Sequence, residues 1–418
     1  MLSTVALFAL AFSGPVEPAG KFALEDGDRV VFYGDSITAS NEYTKFLEVF
    51  IRTRHPELKI SYHNAAVPGE ASWGGPMGRT KDRVERDVNP FSPTHVAIML
   101  GMNDGGYVSY SAYLEEKFKE SYDDLVTRIV KENPGVRLSL IRTSPFDNLT
   151  KGLTGERSTF AKDYNDALQR YGGVIQAVAQ RTKAHYIDFN QPLYDLLNES
   201  RRRDFVASRA LIPDCTHPSV AAHLMMAALL YKNWNGGGLV SEVDIDAKKH
   251  AVKEVKNAEV TLLAGTTLRW RQIEKCLPFP VPTDRTTQFF TGIWPFQDTF
   301  NSQILRVRNL REGDYRLNID TQDIGTFPAE FYEVGINLAE FETPMLARSR
   351  EVLRLIDKKG QRQHNRWQSI RRTAPLTLSE ALYEASEPIE REIARITARR
   401  PVIVSVTRVE TSGGPGGD

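Results

Sequence analysis

The sequence predicts an α/β protein whose first half is a parallel sheet between helices and whose second half is a smaller β-rich region. In the first half, short apolar segments alternate with segments of helical spacing, which is the order expected of parallel strands joined by helices. A glycine run at 236–238 ends this alternation. Beyond it, short alternating segments separated by turn residues are typical of antiparallel strands.

The elements of the first half follow from their apolar patterns. Apolar runs predict strands at 29–33, 58–63, 95–100, 136–142 and 185–189. Apolar residues at helical spacing predict helices at 42–54, 112–132, 160–182 and 219–234. The run 95–100 is largely apolar, as is usual for a parallel strand buried on both faces. We therefore expect a five-stranded parallel sheet with helices on both faces.

The second half is predicted to contain a small antiparallel sandwich and a helical hairpin. Short alternating runs predict strands at 260–263, 267–270, 304–307, 315–319, 331–336 and 401–406. Two long segments of helical spacing, 344–372 and 378–399, predict the hairpin. We expect the last strand to rejoin the sheet of this region. The predicted division is an N-terminal segment 1–24, a first domain 25–235 and a second domain 240–410.

Charge and cysteine content exclude several classes of protein. The 53 Lys and Arg residues balance the 53 Asp and Glu residues, so the whole chain carries no basic field for nucleic acid. Cys215 and Cys276 are too few for a disulfide framework or a four-cysteine zinc site, although they can pair with each other. The histidines lack metal-ligand spacing, and we expect no metal and no other cofactor. No apolar run is long enough to span a membrane.

The N-terminus resembles part of a targeting signal. The apolar run 5–12 resembles the core of a signal peptide, and small residues at 11 and 13 suit a cleavage site. No Lys or Arg precedes the run, so a buried N-terminal segment is the alternative. We expect a secreted or periplasmic protein, with a cytoplasmic location as the other possibility.

Four short blocks with polar residues lie at the ends of predicted elements in the first half. They are 34–38, 64–69, 101–104 and 214–218. Three of them directly follow predicted strands, and the fourth immediately precedes the last helix. Parallel strands end at the same edge of a sheet, where open α/β sheets bind their ligands. We therefore expect the blocks that follow strands to lie at this edge, while Asp214 and His217, three residues apart in a loop before a helix, can both face the same cleft.

These blocks resemble those of the GDSL, or SGNH, hydrolase family. The Ser, Gly, Asn and His that define the family occur in its order as Ser36, Gly69, Asn103 and His217. The resemblance covers about residues 25–235 and implies a flavodoxin-like, three-layer α/β/α domain. Two positions depart from the family pattern, since Ile37 replaces a common Leu and Ala66 replaces a common Gly. Neither departure removes a reacting group.

The resemblance implies a role for each of these residues. Ser36 is the expected nucleophile, and His217 is the base that removes its proton and later protonates the leaving alcohol. Asp214 is expected to orient His217 and to stabilise its cationic form. The expected oxyanion hole consists of the backbone N–H groups of Ser36 and Gly69 and the side-chain amide of Asn103.

Each of these residues also has a structural alternative. Ser36 can cap a helix, Asn103 can serve a turn, and Asp214 and His217 can cap the last helix. The coincidence of all four blocks in family order favours the catalytic interpretation. Cys215 lies in the fourth block but has no further likeness to a cysteine enzyme, so Ser36 is preferred as the nucleophile.

Two aromatic residues, Trp73 and Tyr107, follow the second and third blocks. We expect them to line the cleft and bind substrate, because aromatic faces stack on sugar rings; packing into a core is the alternative.

The sequence therefore predicts a serine esterase that works through an acyl-serine intermediate. The expected substrate is a small-molecule or glycan ester, with an acetyl group on a carbohydrate as the preferred form. The alternatives are a lipase-like or thioesterase activity, and a glycan-binding protein built on a hydrolase scaffold. The oligomeric state is left open.

Overall fold

The first part of the fold is a parallel sheet between helices. A computed structural model describes residues 14–150, 159–373 and 378–409. The elements in this part are β1 Arg29–Gly34, α1 Ser36–Ala39, α2 Glu42–Arg54, β2 Ser61–Asn64, β3 Gly74–Gly75, β4 Gly78–Arg79, α3 Thr80–Asp87, β5 His95–Leu100, α4 Ala112–Glu132, β6 Arg137–Arg142, α5 Tyr164–Thr182, β7 His185–Asp188, α6 Asn190–Arg203, α7 Phe205–Ser208 and α8 Val220–Asn233. The five predicted strands and four predicted helices are present, and α5 begins at Tyr164 rather than at residue 160.

The main sheet has the strand order β2-β1-β5-β6-β7, and every neighbouring pair is parallel. This is the doubly wound, flavodoxin-like order, in which the winding direction changes between β1 and β5. The predicted fold class is thereby confirmed. Such a change of direction opens a crevice at the carboxyl ends of the two central strands. In this chain, β1 leads into the first predicted block and β5 into the third.

Burial explains why the central segments form strands and why α2 lies against them. All six residues of β5 are buried, as expected of a strand covered on both faces. Helix α2 turns an apolar face towards α8, where the ring of Phe50 stacks on Tyr231 with centroids 5.0 Å apart. His55 ends the helix, and Pro56 follows it.

The second part of the chain forms two more sheets and a helical hairpin. Its elements are β8 Leu239–Asp246, β9 Ala251–Lys256, β10 Ala258–Leu262, β11 Leu268–Glu274, α9 Arg285–Thr291, α10 Phe296–Phe300, β12 Ser302–Arg308, β13 Asp314–Ile319, β14 Gln322–Pro328, α11 Ala329–Val334, β15 Ile336–Asn337, α12 Pro344–Thr373, α13 Leu378–Thr397 and β16 Pro401–Arg408. One sheet has the order β10-β11-β16-β13-β14 and the other the order β15-β12-β8-β9. Apolar side chains from both sheets share one core.

Two features of this region can be compared with the predicted antiparallel sandwich, namely the pairing of the last strand, β16, and the direction of the pair β8 and β12. As expected, β16 rejoins the sheet of this region, where it pairs antiparallel with β11 and β13. The prediction that all pairs are antiparallel is wrong for β8 and β12, which run parallel with Leu305 opposite Val243. The long excursion through β9 to α10 returns the chain to the start of β8, and such a crossover is what a parallel pair requires.

The predicted strand at 331–336 is also wrong. Its first residues belong to helix α11, and only the two residues of β15 are extended. Phe331 and Val334 are exposed while Tyr332 is buried, and the shared exposure of residues three apart is a helical spacing rather than a strand alternation. The hydroxyl of Tyr332 donates to the backbone carbonyl of Tyr315, which fixes the helix against β13.

The hairpin of α12 and α13 packs on the first part of the chain. Its apolar residues, including Ile356 and Ile393, belong to the same core as the main sheet. Lys359, almost fully buried, pairs with Glu48 of α2 and lies 2.7 Å from Glu390 of α13, which in turn accepts from Arg52. Two cations and two carboxylates thus neutralise one another under the hairpin. The glycine run at 236–238 separates the main sheet from the two later sheets along the chain. The hydrophobic core of the main sheet nevertheless includes residues from both sides of the run.

The targeting signal is predicted in the N-terminal segment. Residues 1–13, which carry the signal-like run, lie outside the described residues. From residue 14 the chain is packed, since the Val16 N–H donates to the Thr299 carbonyl and Ala23 to that of Trp234. Export stays a prediction. Among the described residues, no helix is both long and apolar enough to cross a membrane.

Candidate active site

The first block turns sharply out of β1 into the short helix α1. Gly34 is required there, because a Cβ at this position would lie 2.4 Å from the Thr38 hydroxyl oxygen and 2.8 Å from the Met99 carbonyl oxygen. Asp35 caps α1 by accepting from the Ile37 N–H at 3.0 Å. Ser36 is therefore the first residue of a helix at the carboxyl edge of the sheet, not its cap.

The fourth block reaches the same edge and contacts Ser36. The Ser36 Oγ lies 2.8 Å from His217 Nε2, and His217 Nδ1 lies 2.7 Å from Asp214 Oδ2. The other Asp214 oxygen accepts from the backbone N–H of His217 at 2.7 Å and from that of Thr216 at 3.0 Å. The structure thus joins Ser36, His217 and Asp214 in one hydrogen-bonded chain.

Asp214 is electrostatically suited to hold a histidine. Partial burial opposes its ionisation, but the hydrogen bonds from the His217 ring and from two backbone N–H groups lower the pKa of Asp214 well below its usual value. The carboxylate therefore stays ionised and fixes the imidazole with Nδ1 as the donor. This leaves Nε2 facing the Ser36 hydroxyl as an acceptor.

The second block is fixed from beneath by a buried ionic network. Glu70 accepts from the Tyr33 hydroxyl at 3.0 Å and from Arg83 Nε at 3.2 Å. Arg83 also donates to the Ala65 carbonyl at 2.6 Å and pairs with Asp87. Gly69 lies exposed above this network in a left-handed conformation with φ of 79°, which a glycine adopts without strain.

The third block is bonded to the second. The Asn103 Nδ2 donates to the Glu70 carbonyl at 2.9 Å, and the Asn103 Oδ1 accepts from the Tyr107 hydroxyl at 3.0 Å. Asp104 anchors the same loop, since it accepts from the Gly101 N–H at 3.0 Å and from the Ser72 N–H at 2.8 Å. Asp35 and Asp104 thus tie their loops through short bonds from backbone N–H groups to their side chains.

Asp35 and Asp104 are fully buried, and neither forms a salt bridge within the described part of the chain. Burial raises the pKa of Asp35 to about 7 and that of Asp104 to about 6, although hydrogen bonds from backbone N–H groups oppose the shift. Each carboxylate is thus harder to ionise in the folded protein than in the unfolded chain.

This shift predicts a pH dependence of stability. Between about pH 4, where an unfolded Asp ionises, and about pH 7, the folded protein holds more protons at Asp35 than the unfolded chain does. The free energy of unfolding should therefore fall as the pH rises through this range, by up to about 1.4 kcal/mol per pH unit for this one group. Asp35→Asn should remove this contribution, so urea titrations at several pH values should give a shallower slope. Parallel slopes for the two proteins would contradict it.

The structure also shows the surroundings of the two aromatic residues predicted to bind substrate and of Cys215, the alternative nucleophile. Trp73 lies under Lys117, whose Nζ is 3.5 Å from the ring centroid, and Tyr107 bonds to Asn103. Contact of either ring with substrate stays a prediction. Cys215 is buried, and among the described residues it forms no disulfide with Cys276. His217 forms its hydrogen bond with the hydroxyl of Ser36, the preferred nucleophile.

Glu70 and Arg83 were missed from the sequence. Glu70 stands beside Gly69, but nothing in the pattern predicts that its carbonyl meets Asn103. Arg83 lies in a highly charged helix that reads as solvated, yet its side chain is fully buried. Within the described ranges, no group of three or more His, Cys, Asp or Glu side chains is placed to hold a metal ion.

Comparisons with known proteins agree with the four blocks. Residues 32–224 match the model of the GDSL-like Lipase/Acylhydrolase family. An acetylxylan esterase from Geobacillus stearothermophilus is 24% identical over an alignment of 218 residues, and the match covers 48% of this chain and 91% of that protein. The resemblance predicted for about residues 25–235 is thereby confirmed over residues 32–224.

Solved structures extend the likeness to nearly the whole chain. A gut microbial diltiazem-metabolizing enzyme superposes with a TM-score of 0.79 at 20% identity, covering 92% of this chain and 98% of that one. At this identity the likeness establishes a shared fold, including the second part of the chain. A catalytic mutant of an acetylxylan esterase from Geobacillus stearothermophilus aligns with 51% of this chain and 97% of its own, at 22% identity and a TM-score of 0.40.

Proposed function

We propose that this protein is a serine esterase that removes acetyl groups from carbohydrates. The proposal starts from two findings: residues 32–224 belong to the GDSL-like lipase/acylhydrolase family, and the chain is a carboxylic ester hydrolase. The observation that carries the proposed mechanism is the hydrogen-bonded chain from Ser36 through His217 to Asp214. It is the arrangement in which a weakly acidic hydroxyl becomes a nucleophile.

The proposed reaction has two halves. In the first, Ser36 Oγ attacks the ester carbonyl carbon while His217 Nε2 takes the hydroxyl proton. The bond from the carbonyl carbon to the alcohol oxygen then breaks, and the alcohol leaves with the proton from His217. In the second half, water attacks the acyl-serine with His217 again as the base, releasing the carboxylic acid and restoring Ser36. Asp214 stabilises the imidazolium in both halves.

The negative charge that develops on the carbonyl oxygen needs hydrogen-bond donors. The proposed donors are the backbone N–H groups of Ser36 and Gly69 and the side chain of Asn103. They follow three adjacent strands, β1, β2 and β5, and the loops are tied together by the bond from Asn103 to Glu70 and by that from the Val67 N–H to the Gly34 carbonyl at 2.9 Å.

Support for acetyl groups on carbohydrate comes from the curated relative, which is an acetylxylan esterase matched over most of its own length. The net charge of zero agrees with an uncharged substrate, because an acidic or cationic substrate favours an enzyme of opposite charge. About half of this chain lies outside the match to that relative, and we place additional recognition of the polymer in the second part of the chain.

A substrate screen tests the proposal. Acetate release from acetylated xylo-oligosaccharides is measured beside hydrolysis of chromogenic acetyl and octanoyl esters and of an acetyl thioester, with Ser36→Ala as the control. We expect acetate release, and a kcat/KM for the acetyl ester about tenfold or more above that for the octanoyl ester, since a pocket shaped for a small acyl group excludes a longer one. Turnover confined to long-chain esters or thioesters would favour a lipase-like enzyme or a thioesterase instead.

A further inference from the structure

We propose that Tyr107 is a positioning residue that holds the Asn103 carboxamide in the orientation needed to stabilise the oxyanion. The inference rests on the proposed function, in which Asn103 is an oxyanion donor. It assigns Tyr107 a task other than contact with the substrate. The observation that carries it is the hydrogen bond from the Tyr107 hydroxyl to Asn103 Oδ1 at 3.0 Å.

The chemistry of the two partners fixes which end of the carboxamide faces which neighbour. A backbone carbonyl only accepts, so the atom of Asn103 that lies 2.9 Å from the Glu70 carbonyl must be the NH2 group. The carbonyl end, Oδ1, then faces the Tyr107 hydroxyl, which must be the donor of that bond. One NH2 hydrogen is used by Glu70, and the second remains for the substrate oxygen.

The two bonds act on different motions of the carboxamide. The Glu70 carbonyl prevents an exchange of the two ends, because Oδ1 would then face another acceptor. The Tyr107 hydroxyl limits rotation of the amide plane and draws electron density towards Oδ1, which makes the NH2 group a better donor. An oxyanion hole depends on donors held in place before the reaction begins.

Tyr107 itself is held at some cost. Its φ is 60°, which lies in the left-handed region that L residues with a side chain adopt only at a cost in free energy. Its backbone carbonyl accepts from the Ala161 N–H at 2.8 Å, and its ring stacks on Phe160 with centroids 4.1 Å apart. The centroid of the Tyr164 ring lies 5.0 Å from that of Tyr107. Such a conformation persists where the surroundings determine it, as they do here.

The loop that carries Asn103 does not depend on Tyr107 for its backbone. The Tyr164 hydroxyl donates to the Met102 carbonyl at 2.7 Å and accepts from the Gly105 N–H at 3.2 Å. Asp104 bonds to the Gly101 N–H on the opposite side. Loss of the Tyr107 hydroxyl therefore leaves the turn in place and frees only the side chain of Asn103.

The first test replaces Tyr107 by phenylalanine, which keeps the stacked ring and removes the hydroxyl. With a chromogenic acetate ester, kcat should fall by about threefold to tenfold, the value of one neutral hydrogen bond, while KM changes less than twofold. Tyr110→Phe, in the same segment and without a bond to Asn103, is the matched control and should leave kcat unchanged. A rise in KM at constant kcat would assign Tyr107 to substrate contact and overturn the proposal.

A double-mutant cycle is the decisive test. Asn103→Ala should lower kcat by about 100-fold to 1,000-fold, as loss of an oxyanion donor does. In that background Tyr107→Phe should have no further effect, because the group it orients is gone. An equal loss in both backgrounds would overturn the proposal, since Tyr107 would then act independently of Asn103.

Two readouts separate this inference from other failures. Labelling of Ser36 by a fluorophosphonate counts competent sites, so that kcat is expressed per folded active site even if a variant folds poorly. If Asn103→Ala and Ser36→Ala both retain wild-type turnover, the proposed function fails. If those two lose activity but the cycle shows no coupling, only the role of Tyr107 fails.

Discussion

Ser36→Ala is expected to lower kcat by about 10⁴-fold to 10⁶-fold without unfolding the protein. The hydroxyl is the group that His217 contacts at 2.8 Å, and alanine has nothing to add to the carbonyl carbon. Stability should change little, because Ser36 is only partly buried and α1 is capped by Asp35 rather than by Ser36. Steady-state hydrolysis of a chromogenic acetate ester and thermal unfolding measure the two effects.

Two further variants make this expectation specific to a shared mechanism. His217→Ala should cost about as much as Ser36→Ala, and the double variant should be little worse than either, since the residues act as one unit. Cys215→Ala should keep most of the activity, because the buried thiol lies outside the hydrogen-bonded chain. Loss of activity in Cys215→Ala, with Ser36→Ala still active, would identify the Cys215 thiol as the nucleophile instead.

Arg83→Met is expected to lower the free energy of unfolding by about 3–5 kcal/mol. The side chains of Arg83, Glu70 and Asp87 are all fully buried. Methionine fills the volume without replacing the cation beside Glu70, while Asp87 keeps its ion pair with Arg86. Unpaired buried charge is the costly outcome, because it cannot recover the hydration that it lost on folding. Urea unfolding followed by circular dichroism measures the loss.

An exposed ion pair supplies the matched control. Arg181 pairs with Asp123 on the surface, where the two side chains are 53% and 47% exposed. Arg181→Met should therefore cost no more than about 1 kcal/mol. Equal losses in the two variants would show that burial of the Arg83 network contributes nothing. Activity should also suffer only in Arg83→Met, because Arg83 bonds to the Ala65 carbonyl at the base of the Gly69 loop.

The parts of the fold that could be predicted depend on local pattern. The strand at 95–100 and the helix at 42–54 were visible because burial imposes a periodicity that the sequence displays. The meeting of the loops after β1, β2 and β5 could be predicted because the carboxyl ends of parallel strands share one edge. These are rules of short range or of sheet geometry. The contact of His217 with Ser36 was expected from the resemblance to the family, because His217 precedes α8 and does not end a strand.

The features that escaped prediction depend on distant partners. The bond of Asn103 to the Glu70 carbonyl joins two loops whose separate patterns give no sign of it. The burial of Arg83 depends on Glu70 and Tyr33, not on its own charged helix. Helix α11 was mistaken for a strand because six residues are too few to separate the two periods.

The position of the hairpin on α2 sets the order in which this chain can fold as it is synthesised. Glu48 emerges from the ribosome 311 residues before Lys359, its buried partner, and Arg52 emerges 338 residues before Glu390. Until α12 and α13 arrive, one face of α2 and its charges are open to water and to other chains. The catalytic half is made first but is completed only when the hairpin arrives, and throughout that interval its exposed face favours binding of chaperones.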